Sequence, residues 1–307
     1  MYISGWGNNL VVNSNIIYPK NINEIIEIIK EYKSKGILVR GMGRSYGDVA
    51  LNENIVSLKY YKKTLELDEK DGLLKCSSNV SISEINDLII SKGWFLNITP
   101  GSKFVSVGGA IANDVHGKNH HKDGSFSDYL EEFSIIKENG EIMSCSSKIN
   151  SELFYATCGG LGLTGIIINV KIKLLRIKSK NIDVKIIKTK NFGETIQKLN
   201  DLKDYKYLVA WSDTLSKKNN IVVYPNNGSL VLKKNREVNT IGDISVGNFD
   251  FKSVDLVFDY DSYLIDLKEI DTLKMLTKKD ARDSYNYLYN IGGDLFINHP
   301  KNKSSRR

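Results

Sequence analysis

Three segments of this 307-residue chain concentrate the residues able to do chemistry. Gly41-Met42-Gly43-Arg44-Ser45-Tyr46-Gly47-Asp48 interleaves glycine with a hydroxyl and a cation. Pro100-Gly101-Ser102, followed by residues 107–121, gathers Gly108, Gly109, Asn113, Asp114, His116, Gly117 and Lys118, and three of the chain's four histidines lie there. Gly160-Leu161-Gly162-Leu163-Thr164-Gly165 spells a literal G-x-G-x-x-G. A dinucleotide presents two phosphates that must be met by donors, and backbone N–H groups come that close only where side chains are missing or φ turns positive. The first segment therefore reads as a phosphate cradle, with Arg44 and Ser45 in support, although a Gly-rich loop after a strand is also a common tight turn.

The third segment tempts a Rossmann assignment, which the order of elements rejects. That fingerprint needs a strand before it and a helix after it, so that the helix N-terminus faces the pyrophosphate. Here a helical pattern over 152–158 precedes and a β-branched run over 166–177 follows. Asp183 stands roughly where an acidic ribose ligand belongs, but one acid does not outweigh the wrong order. A turn beside a cofactor and a purely structural turn both remain. His116 and His120 have the spacing of two helical metal ligands, yet Gly117 weakens a helix and no third ligand pattern joins them. A polar wall against a flat cofactor explains the Gly, Asn, His and Lys mixture better than a metal site.

The elements that must position these segments are legible from periodicity. Ile22, Ile25, Ile26 and Ile29 recur on one helical face, Gly36 stops the helix, and Ile37-Leu38-Val39 is a strand running into the first glycine loop. A second strand covers 55–58. Residues 64–68 and 73–77 flank the turn 69–72 as a hairpin, and Ser81 with Glu84 has capping-box spacing ahead of a helix ended by Gly93. Another hairpin has its tip at Glu138-Asn139-Gly140-Glu141, and Ser151 is expected to cap the helix over 152–158. Beyond about residue 179, strands over 182–188 and 207–211 flank a helix over 192–202. This order predicts α+β lobes and not regular βαβ repeats.

Composition bounds the function. The net charge of +7 comes from lysines spread along the chain, and 41% hydrophobic with 26% charged residues is globular. No basic stripe interleaves with aromatics, so nucleic acid is not an expected partner. Cys76, Cys145 and Cys158 are odd in number and widely spaced, which suggests neither a disulfide framework nor a zinc cluster and fits a reducing cytoplasm. No basic-then-apolar leader opens the sequence and no apolar run reaches bilayer length, so no integral membrane segment is expected. Cytoplasmic placement, with peripheral membrane attachment through a lipid substrate or partner left open, is the expectation.

Taken in order, the strings resemble a known family, the decaprenylphosphoryl-ribose oxidase group of the vanillyl-alcohol-oxidase (p-cresol methylhydroxylase) superfamily. Ser4-Gly5-Trp6-Gly7 is similar to its opening, residues 40–48 to its first flavin loop, 100–121 with Gly124-Ser125-Phe126 to its second, and 152–167 to its third. The likeness runs from about residue 4 to 176. It implies a two-subdomain FAD-binding domain of the p-cresol methylhydroxylase type over 1–178 and a shortened α+β substrate or cap domain over 179–307. The implied cofactor contacts are Val39, Arg40, Gly41, Met42, Gly43, Arg44, Ser45, Tyr46, Gly47, Asp48 and Val49. Gly101, Ser102, Ser106, Val107, Gly108, Gly109, Asn113, Asp114, Val115, His116, Gly117 and Ile166 complete the set. Many family members link flavin to a histidine in the first loop, where this chain has Arg44, so non-covalent FAD is expected.

The resemblance further implies hydride transfer from a carbinol carbon of a sugar or polyol, with polyprenyl-phosphate-linked ribose one candidate and a separate reductase a candidate partner. His116 and Lys118 match residues that face flavin and substrate, while an ordinary surface ammonium is the competing reading of Lys118. Gly292-Gly293-Asp294-Leu295-Phe296 resembles the entry to a late lysine-bearing strand, and counting on places His299 where that lysine stands, with Lys301 just beyond. His299 is the third catalytic candidate. Two alternatives stand beside this reading: an oxygen-using sugar-lactone or polyol oxidase, and a shortened flavin-binding subunit acting through a partner.

Overall fold

The computed structural model describes residues 1–8, 10–182, 185–212 and 221–226, together with the two-residue strands Ser245–Val246 and Phe249–Asp250. The chain opens with an antiparallel hairpin, β1 (Tyr2–Ser4) and β2 (Val11–Asn13). A small parallel sheet follows in the order β3-β5-β4, built from β3 (Asn15–Ile17), β4 (Leu38–Arg40) and β5 (Asn54–Ser57), with α1 (Ile22–Tyr32) crossing between β3 and β4. Asn21 caps α1 by accepting the Glu24 N–H at 3.1 Å. The isoleucine face read from the sequence is the one that packs: Ile25 and Ile29 are buried against Val56 and Leu58.

The larger sheet is antiparallel, in the order β10-β9-β11-β7-β6. Its strands are β6 (Leu65–Asp68), β7 (Leu73–Ser77), β9 (Leu130–Ile136), β10 (Ile142–Cys145) and β11 (Ile166–Arg176), and β8 (Trp94–Leu96) pairs with the far end of β11. Against it pack α2 (Ile82–Ile89) and α3 (Val107–Ala112); α4 (His120–Asp123) and α5 (Ser151–Thr157) lie on the connections. The unbroken run Ile166-Ile167-Ile168 follows from burial on both faces. Ile166 and Ile168 join Ile25 and Val56 in one core, whereas Ile167 joins Ile82, Ile111 and Phe133 in the other. After the bulge at 167–169 the pattern relaxes to alternation, with Lys173 exposed between buried Ile172 and Leu174.

Most predicted elements form, and the differences have local causes. The capping box of α2 is present, Ser81 and Glu84 each accepting the other's N–H. Gly93 ends that region at φ +80°. The cap expected at Ser151 is corrected: Asn150, at φ +48°, occupies that position without a side-chain cap, and Ser151 is the first helical residue. α3 arises inside a stretch read as loop, because Ser106 supplies a cap that outweighs the glycines behind it. The strand expected over 182–188 is shorter, β12 (Ile187–Thr189), and residues 183–184 lie outside the described residues.

Beyond β11, β12 joins β13 (Tyr207–Ser212) and β14 (Ile221–Asn226) in a sheet ordered β12-β14-β13, with α6 (Phe192–Asp201) against it. This sheet is tied to the preceding part of the chain through α4 and Lys118, two residues ahead of it. Leu208 N–H donates to the Lys118 carbonyl at 2.9 Å, Lys122 Nζ to Asp204 O at 2.5 Å, and Lys206 Nζ lies 3.4 Å from Asp123 Oδ2. Tyr207 is buried in the main core. Burial, then the charges of Asp123 and Tyr129, hold its phenol well above the ordinary range. Among the described residues no helix is long and apolar enough to cross a membrane. The three cysteines are free, and burial pushes Cys76 up to about 12, so its thiol stays protonated at neutral pH.

Candidate functional site

β4 ends at Arg40 and releases the chain into the first glycine loop. Gly43 and Gly47 both take left-handed backbone, at φ +66° and +67°. At Gly43 a β-carbon would also strike the Arg40 guanidinium, which would have to shift, so the left-handed backbone is the stronger call for glycine. At Gly41 a β-carbon would sit 2.5 Å from Ser106 Oγ, which shows how tightly the first loop abuts the second. The backbone N–H groups of Gly43, Arg44, Ser45 and Gly47 find no protein acceptor among the described residues. Successive open amides between left-handed glycines form a concavity that suits an anion. No carboxylate pairs with Arg44 among the described residues, so its charge adds to that preference. Met42 and Tyr46 are exposed on the same loop.

The second segment contributes shape more than donors. Val107 N–H donates to Val80 O and Gly108 N–H to Ser78 O, both at 2.8 Å, while Gly109 N–H reaches Ser106 Oγ at 3.2 Å. These amides are spent inside the protein, and the Val107 side chain is fully buried. Ser102 Oγ accepts the Phe104 N–H, and Asn113 Nδ2 donates to Gly109 O. Asp114, at φ +40°, accepts from Ser125 Oγ and from Ser127 N–H, each at 2.9 Å. Its carboxylate thereby organises the 125–127 turn. The side chain of Ile166, a residue expected at the cofactor, lies in the core with Ile25 and Val56, which leaves its main chain for such a contact.

The third turn closes on the second. Gly159 N–H donates to Ile111 O at 3.0 Å and Leu161 N–H to Ala112 O at 2.7 Å, capping the end of α3. A strand follows this turn, as its rejection as a Rossmann loop requires. The glycine segments thus converge on α3 from both sides, which nothing in their separation along the chain foretold.

Beside that junction lies a cavity of about 290 Å³, lined by Thr99, Pro100, Gly101 and residues 113–118. Lys118 reaches it half-buried, with no hydrogen bond or ion pair to its ammonium among the described residues, and burial lowers its pKa. His116 is on the same wall; its Nδ1 lies 3.3 Å from Gly117 O, and its ring meets His120 edge-on at 5.1 Å. His120 Nδ1 contacts the same carbonyl at 3.0 Å. No group of three metal-ligating side chains occurs among the described residues. Sequence reasoning missed Asn119, which is fully buried behind Lys118. It donates to Asn97 O and Asp123 Oδ2, while its Oδ1 has no partner among the described residues. His299 lies outside the described residues.

Among the described residues, open amides, a guanidinium with no carboxylate pair and an ammonium facing a cavity form a donor set suited to an anionic dinucleotide. Residues 14–146 match the FAD binding domain family. They form an FAD-binding domain. The FAD-binding match includes the first two glycine segments, His116 and Lys118, and stops before the third turn. The chain is 30% identical over 223 residues to decaprenylphosphoryl-β-D-ribose oxidase of Mycolicibacterium smegmatis, covering 70% of this chain and 48% of that protein. It is 26% identical over 160 residues to L-gulonolactone oxidase of Scyliorhinus torazame, covering 50% of this chain and 36% of the relative. Delta(24)-sterol reductase of Rattus norvegicus is 23% identical over 188 residues, with 58% and 36% covered. The chain spans at most about half the length of these relatives.

Proposed function

We propose that this chain is an FAD-dependent oxidoreductase that oxidises a secondary alcohol of a sugar or polyol. The observation that carries the reading is the half-buried ammonium of Lys118, unpaired among the described residues, on one cavity wall with His116, beside the FAD-binding loops. Bound FAD supplies a two-electron acceptor for the hydride that leaves the carbinol carbon. The open amides of Gly43, Arg44, Ser45 and Gly47 and the Arg44 guanidinium would hold the diphosphate. His116 is the proton acceptor: its Nδ1 contact with Gly117 O calls for the proton on Nδ1, which leaves Nε2 free to take the substrate hydroxyl proton. Lys118 Nζ offsets the negative charge that arrives with the electrons, and partial burial strengthens that attraction. Loop 41–49 contains no histidine to form a flavin link, so FAD is held without a covalent bond.

The substrate class draws on the relatives' names, two of which are oxidases of a ribose derivative and a sugar lactone. Polyprenyl-phosphate-linked ribose, a separate reductase, peripheral membrane attachment, a role for His299 and the division at residue 178 belong to the same proposal. Purified protein should carry flavin that acid or denaturant releases. Anaerobic mixing with pentoses, alditols, aldonolactones and a lipid-phosphate ribose should bleach its visible absorbance with at least one of them. Reaeration then tells an oxygen-using oxidase from an enzyme that needs another acceptor. A flavin bleached by dithionite but by no member of the panel would defeat the activity, and protein that neither carries nor takes up FAD would defeat the site.

A further inference from the structure

The hairpin residues Ser4-Gly5-Trp6 lie outside the segment that matches the FAD binding domain, yet they are bonded to its first glycine loop. Arg40 makes the joint. Its Nη2 donates to Ser4 O at 2.6 Å and its Nη1 to Ala50 O at 3.0 Å, so one guanidinium ties the amino-terminal strand to the far end of the loop. Gly43 rests on that guanidinium, where a β-carbon would collide. Trp6 N–H donates to Ser45 O at 2.8 Å, and the Trp6 and Tyr46 rings meet edge-on at 4.9 Å. Gly5 lies so flush that a β-carbon there would be 2.7 Å from Gly47 O and 2.9 Å from Ser45 O.

We propose that Ser4-Gly5-Trp6 and Arg40 form a brace that orients the amides of the phosphate loop, with Arg40 acting on FAD through the loop and not by touching it. In a trans peptide the carbonyl of one residue and the N–H of the next point in opposite directions. Every described peptide here is trans, so the Ser45 carbonyl held by Trp6 N–H and the Gly47 carbonyl packed against Gly5 fix the planes of their peptides, and with them the course of the loop that carries the open Gly43, Arg44, Ser45 and Gly47 amides. Residues 4–6 thus cover the Ser45 and Gly47 carbonyls, and the Gly43, Arg44, Ser45 and Gly47 amides, which have no protein acceptor among the described residues, are the ones offered to the anion. Arg40 is a positioning residue, in contrast to its expected place among direct contacts. The inference rests on the reading of residues 41–49 as the loop that holds the diphosphate.

The test uses the full chain and FAD itself. Arg40→Met should raise the FAD dissociation constant about tenfold or more, as expected when a charge-assisted hydrogen-bonded joint is lost. Arg40→Lys should recover part of that loss, and Trp6→Ala should weaken FAD about threefold, by the modest net worth of an edge-on ring pair. Linkage is reciprocal, so FAD must also slow hydrogen exchange at the Trp6 amide in the unaltered protein. Folded Arg40→Met and Trp6→Ala proteins that bind FAD within twofold of the parent would overturn the brace. If Arg40→Met does not fold, Trp6→Ala and the Trp6 amide decide, and an exchange rate indifferent to FAD overturns it as well. Failure of the unaltered chain to bind FAD would instead bring down the underlying site reading.

Discussion

Gly43 and Lys118 show how single residues serve the site at a cost to the fold. Gly43→Val would place a β-branched side chain at φ +66° and into the Arg40 guanidinium. Flavin occupancy should fall by at least about tenfold, with stability lowered by about 2 kcal/mol. Full occupancy would remove the first loop from the site. Lys118 is charged in a place that disfavours charge, so its folded pKa lies below its unfolded one. The penalty is complete below the folded pKa and fades as pH rises toward the unfolded value near 10.5. Lys118→Met should therefore raise the melting temperature of FAD-free protein at pH 7, with a gain that shrinks on the alkaline side, while abolishing substrate-driven flavin reduction. A lower melting temperature at neutral pH would contradict the assignment. Residue types were legible here: Arg44 and Lys118 stand out as cations among glycines. Their commitments were not, since nothing in the string tells that Asp114 is spent on Ser125 and Ser127, or that Val107 and Gly108 amides are taken by Val80 and Ser78. Those facts depend on which distant carbonyl arrives opposite each donor.

Elements with a strong period were readable, and those that depend on a partner were not. α1, α2, the two hairpins and β11 follow from isoleucine spacing, turn chemistry and β-branched runs. α3 escaped because Gly108 and Gly109 lower its intrinsic tendency, and it forms only where Ser106 caps it and Ala110 and Ile111 pack into the core. The caps offer a clean separation of stability from binding. Ser81→Ala removes half of the α2 capping box and should cost about 1 kcal/mol in denaturant unfolding while leaving FAD affinity unchanged. Ser106→Ala, at the helix that touches Gly41, should cost a similar amount, about 1 kcal/mol, and weaken FAD as well. Equal FAD affinities in the two variants would show that α3 does not shape the dinucleotide site.

In the whole molecule the β12-β14-β13 sheet is tied to the preceding part of the chain at the peptide that bears the ammonium. Tyr207→Ala, at a residue of the small sheet buried in the main core, should cost about 3 kcal/mol or more. Lys206→Met, which removes the partly exposed pair with Asp123 and the ammonium lying 5.7 Å from the Tyr207 ring centroid, should cost less than Tyr207→Ala, about 1 kcal/mol. Urea titrations that rank these two the other way would show that this junction is held by charge and not by packing. The strand order of the large sheet has a bearing on how the protein comes into being. β11 sits between β7 and β9, bonded to both, and it is the last of the sheet's strands to be synthesised. Until residue 176 clears the ribosome, two half-sheets wait with unpaired inner edges, each a template for another nascent chain. The polypeptide is thus most prone to misassembly, and in greatest need of a chaperone, in the interval just before that strand slots home.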